Sequence, residues 1–209
     1  MAASRAVKVL FATSNPHKLE DVRAILGAEG VEVVGLDSLA EPVPEPEEDG
    51  DTFEANAELK AVAYARATGM RCLAEDSGLE VDALDGAPGV YSARYAGTSG
   101  SREVRDLANN RKLLSAMEHV SPDNRQARFV CAMCVAEPDG SIVATARGTY
   151  EGVIAAEARG ENGFGYDPLL YLPDVGKTSA QLSVDAKNAR SHRSAAARLL
   201  LRNLRARRR

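Results

Sequence analysis

The stretch VKVLFATSNPHKLEDVRAILG, residues 7–27, decides the fold class. Val7–Ala12 is an apolar run suited to a buried strand, and Leu19–Leu26 repeats its apolar side chains at helical spacing. Between them lie Thr13, Ser14, Asn15, Pro16, His17 and Lys18, a turn crowded with hydroxyl, amide and cationic groups. A turn entering a helix presents free backbone N–H groups and the positive end of the helix dipole, which together favour a phosphate. The turn has none of the glycines of a Walker A loop. The plainer alternative is an ordinary capped helix, with Ser14 or Asn15 as the cap and Pro16 in the first turn.

Working outward, a strand is expected at Val31–Val34, then a loop of prolines and acids, LAEPVPEPEEDGD. Thr52 should open a long helix that Gly69 closes. RCLAED reads as a strand, and SGLEVDAL as a further strand past a Ser-Gly turn. A loop and a polar helix from Arg102 to about Glu118 follow. The runs ARFVCAMCVAE and SIVATARGTYEG, joined by PDG, predict a hairpin. The glycine-rich GENGFGYDP leads into LLYLP, and a last helix should run from Asn188 to about Arg205. The order predicts an α/β fold with a mixed sheet.

Composition sets outer bounds. The 209 residues suit one globular domain, with 44% hydrophobic and 27% charged residues and no compositional mark of disorder. No run of about 18 apolar residues is present, and the first residues lack a secretory cleavage pattern, so a cytoplasmic protein without a membrane partner is expected. Cys72, Cys131 and Cys134 make an odd count with no disulfide framework. Cys131 and Cys134 form C-x-x-C, but residues three apart on a strand face opposite sides, so core packing is expected rather than metal binding. The last twelve residues hold six arginines and no acid, leaving −10 on the preceding 197 against −4 for the whole chain. Such a tail can bind nucleic acid, but the acidic body has the wrong sign for a phosphate backbone.

Four further clusters carry chemistry. Glu75 and Asp76 stand at the end of a strand, where ligands of open α/β sheets gather, and carboxylates there suit a hard cation such as Mg²⁺. Glu47 and Glu48 in the proline-rich loop can add a ligand. Asn56 and Lys60 are four apart and share a helix face. Phe164, Gly165, Tyr166 and Asp167 combine ring faces with a backbone that a ligand can approach closely. Lys187, His192 and Arg193 offer donors around the start of the last helix. Each has an ordinary alternative: solvated acids, a snorkelling lysine, a self-packed turn, a solvated helix start. Together they supply anion donors, metal carboxylates, stacking rings and base readers.

In order and spacing, FATSNPHKLEDVRAIL, TFEANAELKA, EDSGLEVDALDGAPGVYSARYAG, GFGYDPLL and SHR resemble the inosine/xanthosine triphosphate pyrophosphatases, from about Val7 to Leu204. The resemblance implies a homodimer of two-lobed α/β subunits around a long mixed sheet, with the nucleotide in the cleft between lobes. It implies one pyrophosphatase domain over residues 1–209, with a basic tail from about residue 203. The implied reaction is Mg²⁺-dependent hydrolysis of ITP, dITP and XTP to the monophosphate and pyrophosphate. By position, Thr13 to Lys18 match the triphosphate loop, Asp76 the metal-binding catalytic acid, and Ser77 a substrate contact. Phe164 to Asp167, Lys187, His192 and Arg193 match the base-recognition residues, and Glu47 or Glu48 a further metal carboxylate. Lys18 and Lys60 would stabilise charge on the leaving pyrophosphate. The family often shows Glu-Asn-Ala in the long helix, whereas here Glu54 and Ala55 precede Asn56, which turns the acid by about 100°. The rivals are a Maf-like pyrophosphatase of other base specificity and a nucleic-acid-binding protein using the arginine tail.

Overall fold

The computed structural model describes residues 7–207. Seven strands form one mixed sheet in the order β2-β1-β3-β4-β5-β6-β7. The strands are β1 Val7–Phe11, β2 Val31–Gly35, β3 Cys72–Val81, β4 Gln126–Ala136, β5 Ile142–Ile154, β6 Leu170–Leu172 and β7 Lys177–Thr178. The helices are α1 Pro16–Gly27, α2 Phe53–Thr68, α3 Arg102–Ala116, α4 Val184–Arg190 and α5 His192–Ala206. Strand β1 runs parallel to β2 and β3, while β5, β6 and β7 pair antiparallel.

The chain divides into two compact units. The first comprises the chain up to Asp76, Cys131–Gly148 and the segment from Arg193 onward; the second comprises Ser77–Val130 and Thr149–His192. Val9, Phe11, Leu73, Met133, Val135 and Leu200 lie in the core of the first. The core of the second includes Leu79, Leu113, Met117, Ile154, Tyr166 and Leu170. Strand β4 is buried almost throughout, as its unbroken apolar run requires, whereas β5 alternates between buried and exposed residues. All three cysteines are free and buried; burial pushes the Cys72 and Cys134 thiols up to about 12.

One expected break is absent and one unexpected break is present. Ser77-Gly78 makes no turn, because Gly78 keeps a negative φ and β3 passes straight through it. The last helix is instead two, since Ser191 adopts an extended conformation (φ −67°, ψ 158°) between α4 and α5. Helix α1 starts earlier than expected, at Pro16, with Asn15 as its cap. Arg208 and Arg209 lie outside the described residues. Of the other tail arginines, Arg205 pairs with Glu29 at 2.6 Å and Arg207 donates to the Ile142 carbonyl at 3.0 Å.

Helix α2 begins and ends as the sequence predicts. The Thr52 hydroxyl accepts the Ala55 N–H at 3.1 Å, and Gly69 closes the helix in the left-handed region at φ +66°. Thr52→Ala should cost about 1 kcal/mol in denaturant unfolding, because it strips one N–H of its acceptor at the start of the helix.

Candidate active site

In the first unit, β1 delivers the chain to the start of α1. The Asn15 side chain accepts the His17 N–H at 3.1 Å, and the Thr13 hydroxyl accepts the Asn15 N–H at 3.2 Å. These bonds shape the turn and leave Ser14, Pro16 and His17 exposed. Lys18, in the first helical turn, reaches back so that its Nζ lies 3.1 Å from Glu75 Oε1.

Glu75 and Asp76 are neighbours on β3 and therefore face opposite sides of the sheet. That alternation separates two acids that the sequence placed together. Glu75, 2% exposed, meets Arg193 in a bidentate pair, with Nε at 2.9 Å and Nη2 at 3.0 Å. The Cys131 thiol also donates to it at 3.5 Å. Arg193 completes its fork by donating from Nη1 to Asp21 at 2.9 Å. Burial alone would push the Glu75 carboxyl up, but Arg193 and Lys18 outweigh it and hold the group below the usual carboxylate range. Both Glu75 oxygens are thus committed to cations, and Arg193 is committed to two acids rather than exposed as a donor. Nothing in the sequence marks Asp21; its part appears only once α1 and α5 are packed.

Asp76 turns to α2. Asn56 Nδ2 donates to its Oδ2 at 3.0 Å, and the Lys60 ammonium lies 3.8 Å from its Oδ1. Lys60 also pairs with Glu48 at 3.1 Å. Asn56 additionally accepts the Gly50 N–H at 2.8 Å, which pins the acidic loop to the helix. Of the two loop acids, Glu48 turns inward and Glu47 is exposed. Burial pushes the Asp76 carboxyl up; Lys60 and Asn56 pull it down, while Glu48 adds to the rise, and the net shift is upward. Glu54 pairs instead with Arg147 at 2.8 Å on the surface, in keeping with its turned position on the helix.

In the second unit, Asp167 organises the glycine-rich loop. One of its oxygens accepts the Phe164 N–H at 2.8 Å and the Lys187 ammonium; the other accepts the Ser179 hydroxyl at 2.7 Å. Gly163 has φ +80°, and a Cβ there would stand 2.1 Å from Asp167 Oδ2, so both conformation and space demand glycine. Phe164 is half-buried with the Lys187 ammonium 5.1 Å from its ring centre. Tyr166 presents no ring face to a ligand: it is 4% exposed within the core, and its hydroxyl donates to the Ser92 carbonyl at 2.8 Å. His192 is buried and stacks on Phe129 at 5.1 Å between ring centres. Ser77 is half-buried. The structure therefore groups Lys18, Glu75 and Arg193 in one cluster, Glu48, Asn56, Lys60 and Asp76 in a second, and Phe164, Asp167 and Lys187 in a third.

The profile of the Ham1 family matches residues 9–203. The chain belongs to the Ham1 family. It is 50% identical over 190 residues to the dITP/XTP pyrophosphatase of Desulforamulus reducens, covering 91% of this chain and 92% of that one. It is 46% identical to the dITP/XTP pyrophosphatase of Thioalkalivibrio sulfidiphilus over 202 residues, covering 96% and 100% of the two chains. Among solved structures, a HAM1 protein from Coxiella burnetii superposes with a TM-score of 0.84 at 37% identity, covering 96% of this chain and 99% of that one. The Staphylococcus aureus Ham1 protein does so with 0.82 at 42% identity and the same coverage. This Ham1 chain follows the fold expected from its sequence, a mixed sheet with flanking helices.

The donor set of the second cluster fits a divalent cation. Two carboxylates, Asp76 and Glu48, share a single ammonium, and burial makes the Asp76 charge costly without a closer positive partner. Among the described residues no group of three or more His, Cys, Asp and Glu side chains could hold a metal by itself. Such a site suits an ion that takes few protein carboxylates and fills its remaining positions with water or phosphate oxygens, as Mg²⁺ does.

The Glu75–Arg193 pair has a pH signature. The native Glu75 carboxyl titrates below its unfolded value, so its contribution is complete above that value and is lost as pH falls towards the native one. Acidification below about pH 5 should therefore lower the melting temperature of the wild type. The double substitution E75Q/R193M removes both charges and should flatten that part of the profile. R193M alone, which strands a buried carboxylate, should cost about 3 kcal/mol or more in denaturant unfolding.

Proposed function

We propose that this Ham1 chain hydrolyses the non-canonical purine nucleoside triphosphates ITP, dITP and XTP to the monophosphate and pyrophosphate. The observation that carries the reading is Asp76: a buried carboxylate with a raised pKa, facing Glu48 across Lys60, in a chain whose relatives are dITP/XTP pyrophosphatases. Both units serve this one reaction as a single pyrophosphatase domain.

Asp76 and Glu48 would hold the metal, with Mg²⁺ the fitting ion; when bound it neutralises triphosphate charge and acidifies a water. Lys18 and the positive end of the α1 dipole bind the phosphate oxygens, and Thr13 to His17 shape that turn. Lys60 stabilises charge that builds on the leaving pyrophosphate as water attacks the α-phosphorus. Asn56 holds the Asp76 carboxylate in place through its amide. Ser77 contacts substrate beside it.

Base recognition falls to Phe164, whose ring stacks on the purine, and to donors from Lys187 and His192. Inosine and xanthosine carry a keto oxygen at the 6-position where adenosine has an amino group. A donor there is satisfied by the keto bases and opposed by adenine. In this reading Asp167 and Gly165 set the shape of the loop, Tyr166 supports it from a buried position, and Arg193 fixes Glu75 within the first unit.

The enzyme works as a cytoplasmic homodimer in this reading. Three free cysteines support a reducing compartment, and exposed Tyr91, Val104 and Leu107 on adjoining elements support a partner surface. Among the described residues no helix is long and apolar enough to cross a membrane. Nucleic-acid binding gains no support from a tail whose Arg205 and Arg207 bond to their own unit.

Pyrophosphate release from ITP, XTP, GTP and ATP with Mg²⁺ tests the proposal. ITP and XTP should turn over fast and ATP slowly. D76N should lose about 100-fold or more in kcat, since metal-derived charge stabilisation is worth several kcal/mol. Equal turnover of all four would end the base-recognition assignments, and an active D76N would end that of the metal site.

A further inference from the structure

Asp167 holds the loop carrying Phe164 from within, and helix α3 holds it as well. Arg102, Asp106 and Asn110 recur at intervals of four along α3 and so share one face of it. Asp106 Oδ2 accepts the Gly165 N–H at 2.8 Å, and Asn110 Nδ2 donates to the Gly165 carbonyl at 3.0 Å. One helix thus satisfies both backbone polar groups of a single residue. Gly165 has φ +62° with open space where a Cβ would stand, so it is glycine for its left-handed conformation, and that conformation is what the two side chains grip. The Arg102 guanidinium lies 4.5 Å from the Phe164 ring centre and 3.8 Å from Asp106. The adjacent Asn109 makes a similar clamp elsewhere, accepting the Ala96 N–H at 2.7 Å and donating to the Ser92 carbonyl at 3.2 Å.

We propose that Asp106 and Asn110 are positioning residues for base selectivity. They fix the peptide that follows Phe164, and with it the ring plane that Arg102 backs. Helix α3 thereby governs discrimination among purine bases without acting on the bond that is cleaved. The inference rests on the proposed function, in which Phe164 meets the base.

The test measures kcat and KM for ITP and GTP, with inhibition by inorganic pyrophosphate, in wild type, D106A, D106N and N110L. Two positions are substituted so that a variant that does not fold leaves the other to decide. D106A and N110L should raise KM for ITP about tenfold and narrow the preference for ITP over GTP, because each leaves a backbone group without its partner. Values of kcat should stay within about twofold, as expected when only uniform binding is lost. Pyrophosphate inhibition should not change, and D106N, which keeps an acceptor oxygen, should restore wild-type values. Wild-type KM and preference in both truncated variants would overturn the inference, as would a parallel loss of pyrophosphate inhibition, which marks general loosening. A wild type that releases pyrophosphate from neither ITP nor XTP would overturn the proposed function and this inference with it.

Discussion

The bidentate pair between Arg193 and Glu75 joins residues 118 apart in sequence, and much of the first unit is arranged so that both charges can be buried. Removing two such ions from water costs several kcal/mol each, which only close geometry and complete hydrogen bonding can offset. Here the offset is distributed: Arg193 donates to Glu75 and Asp21, while Glu75 also receives Lys18 and the Cys131 thiol. The partners come from α1, β3, β4 and α5, so those elements must meet in one register for any of the charges to be satisfied. Alanines at 196 and 197, both buried, leave room for α5 to come close.

One consequence is that Lys18 does not swing free. Its ammonium is held at the start of α1, where the backbone amides already favour an anion. The other consequence follows from the pleat. Because Glu75 takes one face of β3, Asp76 is delivered to the opposite face, where α2 supplies Asn56 and Lys60 one turn apart. A strand can thus place adjacent residues in two environments, a buried ion pair on one side and a carboxylate beside a single ammonium on the other.

Local rules made α2 readable: its cap, its terminal glycine and its apolar face are all written within eighteen residues, Thr52 to Gly69. The same holds for β4, whose unbroken apolar run announces burial on both faces. The passage of β3 through Ser77-Gly78 was not readable, because turn residues were outvoted by pairing along the sheet. The break at Ser191 was hidden for a similar reason, since a serine flanked by good helix formers carries no strong stop signal. The site was legible in its residue types but less so in its partnerships. The alternation rule applied to Cys131 and Cys134 also separates Glu75 from Asp76, yet which acid meets which cation depends on α5, more than a hundred residues away. Glu47 and Glu48 differ only in which one the loop turns inward, a matter of tertiary path.

Charge balance explains why the two faces of β3 behave differently. In the Glu75 cluster two cations, Arg193 and Lys18, stand against two acids, Glu75 and Asp21, and the Glu75 carboxyl is held below its ordinary range. In the Asp76 cluster one ammonium stands against two carboxylates, and burial with a like-charged neighbour drives the Asp76 carboxyl upward. The charges of the first cluster balance. The second is short of one positive charge, a deficit that a divalent cation would more than fill. In the proposed function that excess is what meets the triphosphate.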